Sequence, residues 1–471
     1  MSELIKLAVL IPLYFVVAPL IGMAIRSFRN IQKGVFFLLL FVTALSYRWI
    51  STSPGFPSEF YRGHTRGYEC TLMDVFAIIL IFSGRGTAKE RGAWMPPGAW
   101  LWLLYCAASA LSIVGSVDPN FTMMAIVKFT KLILVYIAAF HFFRKDDDIR
   151  FFLSSASVVL IFQSGVCLYS KYIEHVYQVK GWFEHQNAMV MYTYMLGLPL
   201  LAASMGEEKR MQTFLWVVGF IAGGVCVESS LSRGGMIFFA LGVVLTVFLS
   251  LCDRLTLKRV LTVSTLGILG AIGILVASKT IIKRFNDPFN RASEETRVIL
   301  NKCSRQMLAD HPVVGTGWNT YGVMINPPYT YGNAFYDWDI SRGFSINPKV
   351  KPNNPISESW YYLMLAETGF VGTAACFVFF LTTVFWNARA IFYHRKTFRG
   401  VMAIGLFAGL GMNYLQSNYE RVLTQPKNMA AWMICLAIVA RLEWWRRQER
   451  LGLKIKQQGA EEPLPTIQIK A

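Results

Sequence analysis

The chain has 471 residues, of which 54% are hydrophobic and only 16% are charged. Soluble domains carry roughly 25% charged residues, and apolar runs long enough to cross a ~30 Å hydrocarbon layer recur along most of this sequence. The composition therefore excludes an ordinary soluble protein and predicts an all-α polytopic integral membrane protein. The formal net charge of +18 would also fit a nucleic-acid-binding protein, so the distribution of that charge decides between the two classes.

These runs predict about 12–13 transmembrane helices, of which the third is short and the eleventh is long. The first run has a single nearby charge, Lys6, and no small-residue cleavage pattern, so we expect a retained helix and not a signal peptide. The predicted spans lie near residues 4–25, 34–50, 72–84, 99–115, 120–143, 151–170, 187–205, 211–229, 234–252, 260–278, 359–388, 400–417 and 428–445.

Basic residues concentrate in alternate loops between these spans. The positive-inside rule places the basic loops in the cytoplasm and the loops between them on the outer side of the membrane. The positive charge is therefore a topology signal, with some attraction to anionic lipid headgroups, and we expect no nucleic-acid partner. The basic segments are "RSFRNIQK", "RGTAKER", "RKDDDIR", "GEEKR", "DRLTLKR", "HRKTFR" and the end of the chain from "RLEWWRRQER".

One segment on the outer side is much longer than any other loop and is rich in Pro, Gly, Asn and Tyr. An unstructured loop of this length is uncommon, so we predict a folded, functional element with a helix in "ASEETRVILNKCSRQMLADHP". The aromatic stretch "NPPYTYGNAFYDWD" is typical either of stacking on sugars or of contact with lipid headgroups. The predicted organisation is a transmembrane bundle in 1–278, the large loop in 279–358, C-terminal transmembrane helices in 359–445 and a basic, disordered cytoplasmic end in 446–471.

Cysteine and histidine usage gives no sign of a metal site. Most of the eight cysteines fall inside predicted spans, where they act as small apolar residues. A disulfide between Cys70 and Cys303 on the outer side is a minor alternative. The sequence has no CxxC or HExxH motif, so we expect neither a bound metal nor a cofactor.

The segment "GWFEHQNAMVMYTYMLGLPLL" begins a predicted span on the outer side. Asn187 is predicted to cap that helix, which would place His185 at its positively polarised N-terminus. A capped helix with an interfacial histidine is the alternative to a binding role for these two residues.

The segment "SLSRGGMIFF" begins the second span after that one. Ser232 is predicted to cap the helix, Arg233 lies in its first turn, and Gly234 and Gly235 leave backbone amides uncovered. Free N–H groups beside a guanidinium make a good diphosphate site. The alternative is an arginine that extends to the membrane interface.

The segment "RVILNKCSRQMLADHPVVGTGWNTYG" lies in the large loop. Arg297 and Arg305 fall on one face of the predicted helix, so both side chains can approach one anion. The helix is predicted to end at His311, before a tight turn at Gly315 and Gly317. The alternative for the arginines is a solvated, charged face.

The segment "NNPISESWYYLMLAETGFVG" leads into a further span. Asn354 is predicted as the N-cap, Pro355 as the first helical residue and Glu358 as a first-turn acid that the helix dipole favours. Glu367 follows about 900° of helix rotation later and faces the opposite way. Glu358 is therefore predicted to act as a lone base, and a purely dipole-stabilising role is the alternative.

Two lysines lie inside a predicted span, in "MAIVKFTKLILVY". Lys128 and Lys131 are one turn apart, and ammonium groups within a membrane are costly unless they line a cavity or meet an anion. Both are therefore candidate substrate-binding residues.

In this order, the motifs resemble the O-antigen ligase and polymerase superfamily of bacterial envelope glycan assembly. The family pattern is loosely G-x-F-x-x-x-N before one span, S-R-G at the start of another, then an arginine and an h-P-l-l-G-x-G turn in a large loop, and H-N-x-x-L-x-x-x-x-E-x-G-x-x-G entering the next helix. This chain matches over about residues 180–375, and its N-terminal spans match in character only. The matching residues are Gly181, Phe183, Asn187, Ser232, Arg233, Gly234, Arg297, "HPVVGTG" and "YYLMLAETGFVG".

The resemblance implies a metal-independent, inverting glycosyltransferase of the GT-C type in the bacterial cytoplasmic (inner) membrane, with its active site facing the periplasm. Its donor would be a glycan on undecaprenyl diphosphate, with Arg233 and Arg297 binding the diphosphate and Glu358 completing the catalytic set. Membrane lipid and a chain-length regulator or other assembly proteins are further expected partners. The candidate substrate-binding residues are His185, Asn187, Ser232, Arg305, His311, Lys128 and Lys131.

The chain departs from the family pattern at one position that bears on its function. Family ligases have His and Asn where this chain has Glu358 and Ser359. A carboxylate there can act as the base or orient an acceptor hydroxyl, and the loss of the histidine favours a polymerase that joins lipid-linked repeat units. A ligase acting on lipid A core or on a protein is the first alternative. A lipid-linked glycan transporter is the second, although the sequence lacks the internal repeats expected of one.

Overall fold

The computed structural model describes residues 3–46, 49, 51–52, 63–65, 67–84, 94–206, 209–286, 289–341 and 355–461. In these ranges the chain is helical apart from loops and two short antiparallel strands, Ser51–Thr52 and Cys70–Thr71. The helices are α1 (Glu3–Pro12), α2 (Ala18–Ala24), α3 (Arg29–Val42), α4 (Leu72–Phe82), α5 (Ala99–Ala110), α6 (Pro119–Lys131), α7 (Ile133–Phe142), α8 (Asp146–Tyr172), α9 (Gln186–Ser204), α10 (Arg210–Ser230), α11 (Arg233–Asp253), α12 (Leu257–Phe285), α13 (Phe289–Asp310), α14 (Tyr321–Met324), α15 (Asn333–Ser341), α16 (Trp360–Tyr393), α17 (Phe398–Gln416) and α18 (Pro426–Glu461).

The prediction of an all-α polytopic membrane protein is confirmed. Every predicted span contains a helix, but within the described residues only seven helical segments are long and apolar enough to cross a membrane, or eight if the two parts of α12, bent by 68°, form one span. The total of 12–13 crossings therefore stays a prediction. The seven segments are Ala8–Ser27, Pro119–Phe142, Asp146–Tyr172, Arg210–Ser230, Arg233–Asp253, Trp360–Tyr393 and Phe398–Gln416.

Helices α9 and α18 form the centre of the bundle. Each residue of α9 from Asn187 to Ser204 is buried, and α18 is buried from Asn428 to Leu442. A helix that is apolar on all faces is typical of such a central position. Helix α9 packs against α10, α11 and α17, so the start of α9, the start of α11 and the end of α17 lie at the same end of the bundle as the large loop.

The large loop is folded, as predicted. A small core formed by Leu300, Cys303, Met307, Tyr321 and Phe335 joins α13 to α14 and α15. Helix α15 forms in the aromatic stretch of the loop.

Cys303 of α13 is buried in this small core, whereas Val298 of the same helix is 69% exposed. Cys70 and Cys303 are both free thiols, so the disulfide that the sequence left open is not formed.

The N-caps of two helices differ from those predicted. His185 and not Asn187 caps α9, because His185 has an extended backbone and its Nδ1 accepts from the Asn187 amide at 3.3 Å. Ser359 caps α16 for the same reason, with its hydroxyl accepting from the Tyr362 amide at 3.4 Å. Pro355 and Glu358 therefore precede the helix, and the predicted cap Asn354 lies outside the described residues. Glu358 is thus not a first-turn acid.

The last helix continues to Glu461, past residue 445, where the sequence predicted the start of a disordered end. Glu443 accepts from Arg446 and Arg447 one turn later and from Arg389 of α16 at 2.6 Å, and such pairs stabilise a helix at this point. Residues 462–471 lie outside the described part of the chain.

The "HPVVGTG" turn is paired with an interruption in α16. Gly369 has φ +60° inside that helix, so the surrounding peptide groups lose their intrahelical partners. The turn replaces these partners. The amides of Thr316 and Gly317 donate to the carbonyls of Ala366 and Glu367 at 3.0 and 3.1 Å, and the amide of Phe370 donates to the Pro312 carbonyl at 2.8 Å. This pairing fixes the end of α13 against α16.

Gly369→Ala should destabilise the protein. The backbone there is left-handed, and a Cβ would lie 2.4 Å from the Val313 carbonyl oxygen, so we expect a loss of about 1–3 kcal/mol. Gly411→Ala in α17 is the matched control, because a Cβ there meets nothing within 4 Å and alanine is favoured over glycine in a helix. The measurement is the apparent melting temperature in detergent. Equal melting temperatures for the two variants would contradict this account of the turn.

Candidate active site

Arg297 of α13 lies between two carboxylates. Its Nε donates to Glu358 Oε2 at 2.5 Å, and its Nη2 donates to Glu420 Oε1 at 2.9 Å. Burial opposes the charge of this guanidinium, but Glu358 and Glu420 raise the pKa of Arg297 above its ordinary value. The arginine is therefore fully charged and holds together α13, the segment before α16 and the segment after α17.

A chain of hydrogen bonds leads from Glu420 to the start of α11. The Asn187 side-chain amide donates to Glu420 Oε1, and the Ser232 hydroxyl donates to Asn187 Oδ1 at 2.6 Å. Ser232 accepts in turn from the Gly235 amide at 3.0 Å, which confirms it as the N-cap of α11. Asn187 and Ser232 thus join the starts of α9 and α11 to the Glu420 carboxylate.

Arg233 lies at the first position of α11, as predicted, and joins the same group. Its Nη1 donates to Glu294 Oε1 at 2.9 Å, and Glu294 lies one turn before Arg297 on α13. Of the two arginines predicted to bind diphosphate, Arg297 therefore lies on α13 and Arg233 contacts that helix, and each is paired with a carboxylate.

Burial strongly affects the two titratable groups at the centre of the site. Burial raises the pKa of the Glu420 carboxyl to about 7, and the negative charge of Glu358 adds to the rise, while Arg297, Asn187 and Arg421 oppose it. Burial also lowers the pKa of His185 below its ordinary value. At neutral pH the Glu420 carboxyl can therefore both hold and release a proton.

Two predicted site residues lie apart from this group. Arg305 is exposed, and its guanidinium donates to the Tyr362 hydroxyl at 2.6 Å and lies 5.2 Å from that ring. His311 takes part through its backbone, with its carbonyl accepting from the Gly315 amide at 3.1 Å in the turn. Arg297 and Arg305 consequently have separate partners in this structure.

Lys128 and Lys131 meet anions, one of the two alternatives that the sequence left open. Lys128 Nζ lies 3.4 Å from Glu69 Oε2 and donates to the His64 carbonyl at 2.8 Å. Lys131 Nζ lies 2.7 Å from Asp74 Oδ2. Carboxylates of the chain itself therefore neutralise both ammonium groups, and a substrate-binding role for the two lysines stays a prediction.

Glu420 and Arg421 are the site residues that sequence reasoning missed. They lie in "QSNYERV", the short segment between α17 and α18. The alternation of spans puts this segment on the same side as the large loop. The signal available in the sequence was a glutamate next to an arginine in a short loop on that side. Among the described residues no group of three or more His, Cys, Asp or Glu side chains could hold a metal ion.

Residues 218–377 of the chain match the family model described as O-Antigen ligase. This part of the chain is therefore similar to O-antigen ligases. The matched residues include Arg233, Arg297 and Glu358, whereas Asn187 and Glu420 lie outside them. A comparison with curated proteins found no match. The predicted resemblance is confirmed, and the function is of the glycan ligase or polymerase type, carried out by a multi-pass membrane protein.

Ser232→Ala should impair both stability and glycan transfer. Loss of the N-cap costs about 1 kcal/mol, and loss of the hydroxyl also frees Asn187, which supports Glu420. Thr256→Ala is the matched control, because Thr256 caps α12 by accepting from the Arg259 amide at 3.3 Å. Both variants should show similar melting temperatures, and only Ser232→Ala should lose transfer. An equal loss of transfer in both would contradict the role given to Ser232.

Proposed function

We propose that the protein is an O-antigen or exopolysaccharide polymerase of the bacterial inner membrane. It transfers a glycan from undecaprenyl diphosphate to a sugar hydroxyl of another lipid-linked repeat unit at the periplasmic face. The observation that carries the proposal is the grouping of Arg233 and Arg297 with Glu358 and Glu420 at one end of the bundle. It combines the positive charge needed by a diphosphate leaving group with the acid–base groups needed by an acceptor hydroxyl.

The arginines bind the donor in the proposed reaction. The anionic diphosphate draws Arg233 away from Glu294 and Arg297 away from its carboxylates, and guanidinium groups suit phosphate oxygens because they donate two hydrogen bonds in parallel. As the bond between the sugar and the diphosphate breaks, these charges stabilise the departing group. The acceptor hydroxyl attacks the anomeric carbon from the opposite side and inverts it. The two guanidinium groups supply positive charge at the leaving group, and we propose that the reaction is metal-independent.

The polymerase is favoured over the ligase by the residues before α16. Glu358 and Ser359 stand where the family ligases have His and Asn. In this chain the Glu358 carboxylate contacts Arg297, and Ser359 caps the helix. A carboxylate pair on one arginine is suited to accept a proton from a sugar hydroxyl, which is the acceptor group in the proposed polymerase reaction.

The proposed function is tested with the purified full chain in lipid vesicles, given one undecaprenyl diphosphate oligosaccharide and no other acceptor. We expect a ladder of lipid-linked multiples on a gel, unchanged by a chelator. Product that forms only after lipid A core or an acceptor protein is added would make the chain a ligase. Activity lost with the chelator and restored by a divalent ion would contradict the metal-independent mechanism.

Arg233→Ala and Arg297→Ala should each reduce transfer by about 10²–10³-fold, the usual cost of losing one donor to a developing negative charge. Arg297→Lys keeps the charge but not the forked geometry, and should remain folded with reduced transfer. Arg150→Ala is the control, because Arg150 pairs with Asp147 at 3.1 Å and lies over the Phe398 ring at 4.3 Å, at the other end of the bundle and away from the site. Full transfer by a folded Arg233 or Arg297 variant would remove that residue from the site.

A further inference from the structure

We propose that Glu420 accepts the proton of the acceptor hydroxyl, and that Glu358 instead positions Arg297. This inference rests on the proposed glycosyl transfer and assigns one step of it. Glu420 lies outside the residues that match the O-antigen ligase domain, in the segment after α17.

The two oxygens of the Glu420 carboxylate have different surroundings. Oε1 accepts from both Asn187 and Arg297. In the part of the chain that the structure describes, no hydrogen bond uses Oε2, and the side chain retains 11% exposure. One oxygen is therefore fixed by two donors, and the other is left for an acceptor hydroxyl.

The backbone of Glu420 is held as firmly as its side chain. Its amide donates to the Gln416 carbonyl at 3.0 Å at the end of α17, and the Ser417 carbonyl accepts from the Trp360 amide at 2.9 Å at the start of α16. The segment between α17 and α18 is thus attached to both helices. A base held on such rigid elements keeps its geometry during the reaction.

Glu358 is placed differently. Its side chain is 38% exposed, and its described hydrogen bond is the one from Arg297 Nε to Oε2. One donor therefore holds the Glu358 carboxylate at the edge of the site, whereas two donors fix the more buried Glu420 carboxylate. The Glu358 contact instead orients the guanidinium toward the diphosphate.

The charges that face Glu420 come from each neighbouring element. Arg297 faces it from α13, Glu358 from the segment before α16 and Arg421 from its own segment, and the neutral Asn187 amide donates to it from the start of α9. Burial raises the pKa of Glu420 to about 7 against the effect of the two arginines. A base with a pKa near the working pH transfers protons most effectively.

The proposed step is balanced as follows. The acceptor hydroxyl gives its proton to Glu420 Oε2 while its oxygen forms a bond to the anomeric carbon. The bond from that carbon to the diphosphate oxygen breaks, and its electron pair leaves with undecaprenyl diphosphate, whose charge Arg233 and Arg297 balance. Glu420, now neutral, returns its proton to water before the next cycle.

Initial rates of transfer between about pH 5.5 and 9 test the assignment. For the unmodified chain kcat should rise through about pH 7 and then level off, because the base is the deprotonated form. Glu420→Gln should lower kcat by about 10²–10⁴-fold and abolish this rise, with donor binding retained. Glu420→Asp should retain part of the rate and the rise. Glu358→Gln should raise KM for the donor and keep the rise.

Two control variants separate a catalytic effect from a general one. Glu228→Gln removes a carboxylate near the same end that pairs with Lys171 at 2.8 Å, and should change kcat little. His185→Gln removes a histidine at the start of α9 whose pKa burial lowers, and should leave the pH midpoint unchanged. A Glu420→Gln protein that keeps both its kcat and the rise, or a Glu358→Gln protein that loses the rise, would overturn the assignment.

A second measurement does not depend on turnover. Infrared difference spectra of the full chain, recorded across the same pH range, should contain a protonated carboxyl band that titrates near pH 7 and disappears in Glu420→Gln. An unchanged band would overturn the inference. If the chain transfers only to an added acceptor, the polymerase proposal fails, and the same pH profile tests Glu420 in the ligase reaction.

Discussion

The arrangement of the site depends on the pairing between the "HPVVGTG" turn and the interruption of α16 at Gly369. A helix broken inside a protein leaves carbonyls and amides that need other partners, and the turn supplies them at Ala366, Glu367 and Phe370. The Glu367 side chain strengthens the junction, because it accepts from the Tyr321 amide at 3.0 Å. Since α13 leads directly into this turn, the pairing sets where Arg297 lies relative to Glu358. Glu367 is therefore a structural acid.

In the proposed reaction, the paired charges make donor binding precede proton transfer. Arg297 is balanced by Glu358 and Glu420, and Arg233 by Glu294. An incoming diphosphate competes for both guanidinium groups, so its binding also weakens the attraction that holds Glu420 to Arg297. On this proposal one exchange of ion pairs binds the donor and prepares the carboxylate to accept a proton. The exchange avoids leaving a half-buried charge unpaired, which would be costly.

The buried charges in the N-terminal half have a different role in the architecture. Lys128 and Lys131 reach Glu69 and Asp74, and the Tyr14 hydroxyl donates to Asp74 Oδ2 at 3.0 Å. His64, whose carbonyl accepts from Lys128, lies with its Nε2 3.0 Å from Glu367 Oε2. These contacts connect the segment before α4 to the interrupted helix. The two lysines inside this span thus help to join the two halves of the chain, because carboxylates of the chain balance their charge.

The sequence by itself determined that the chain is an all-α membrane protein, because apolar length and helical periodicity are local properties of a chain. It also singled out Arg233, Arg297 and Glu358 as candidates, and the structure pairs Arg297 with Glu358 and Arg233 with Glu294, one turn before Arg297 on α13. The sequence misplaced the caps of α9 and α16, since several capping residues stand side by side and only the folded backbone selects His185 or Ser359. Only the tertiary structure brought Glu420 to Asn187 and Arg297. Those partners are 233 and 123 residues away in the chain, and helix packing at such separations leaves no local pattern to read.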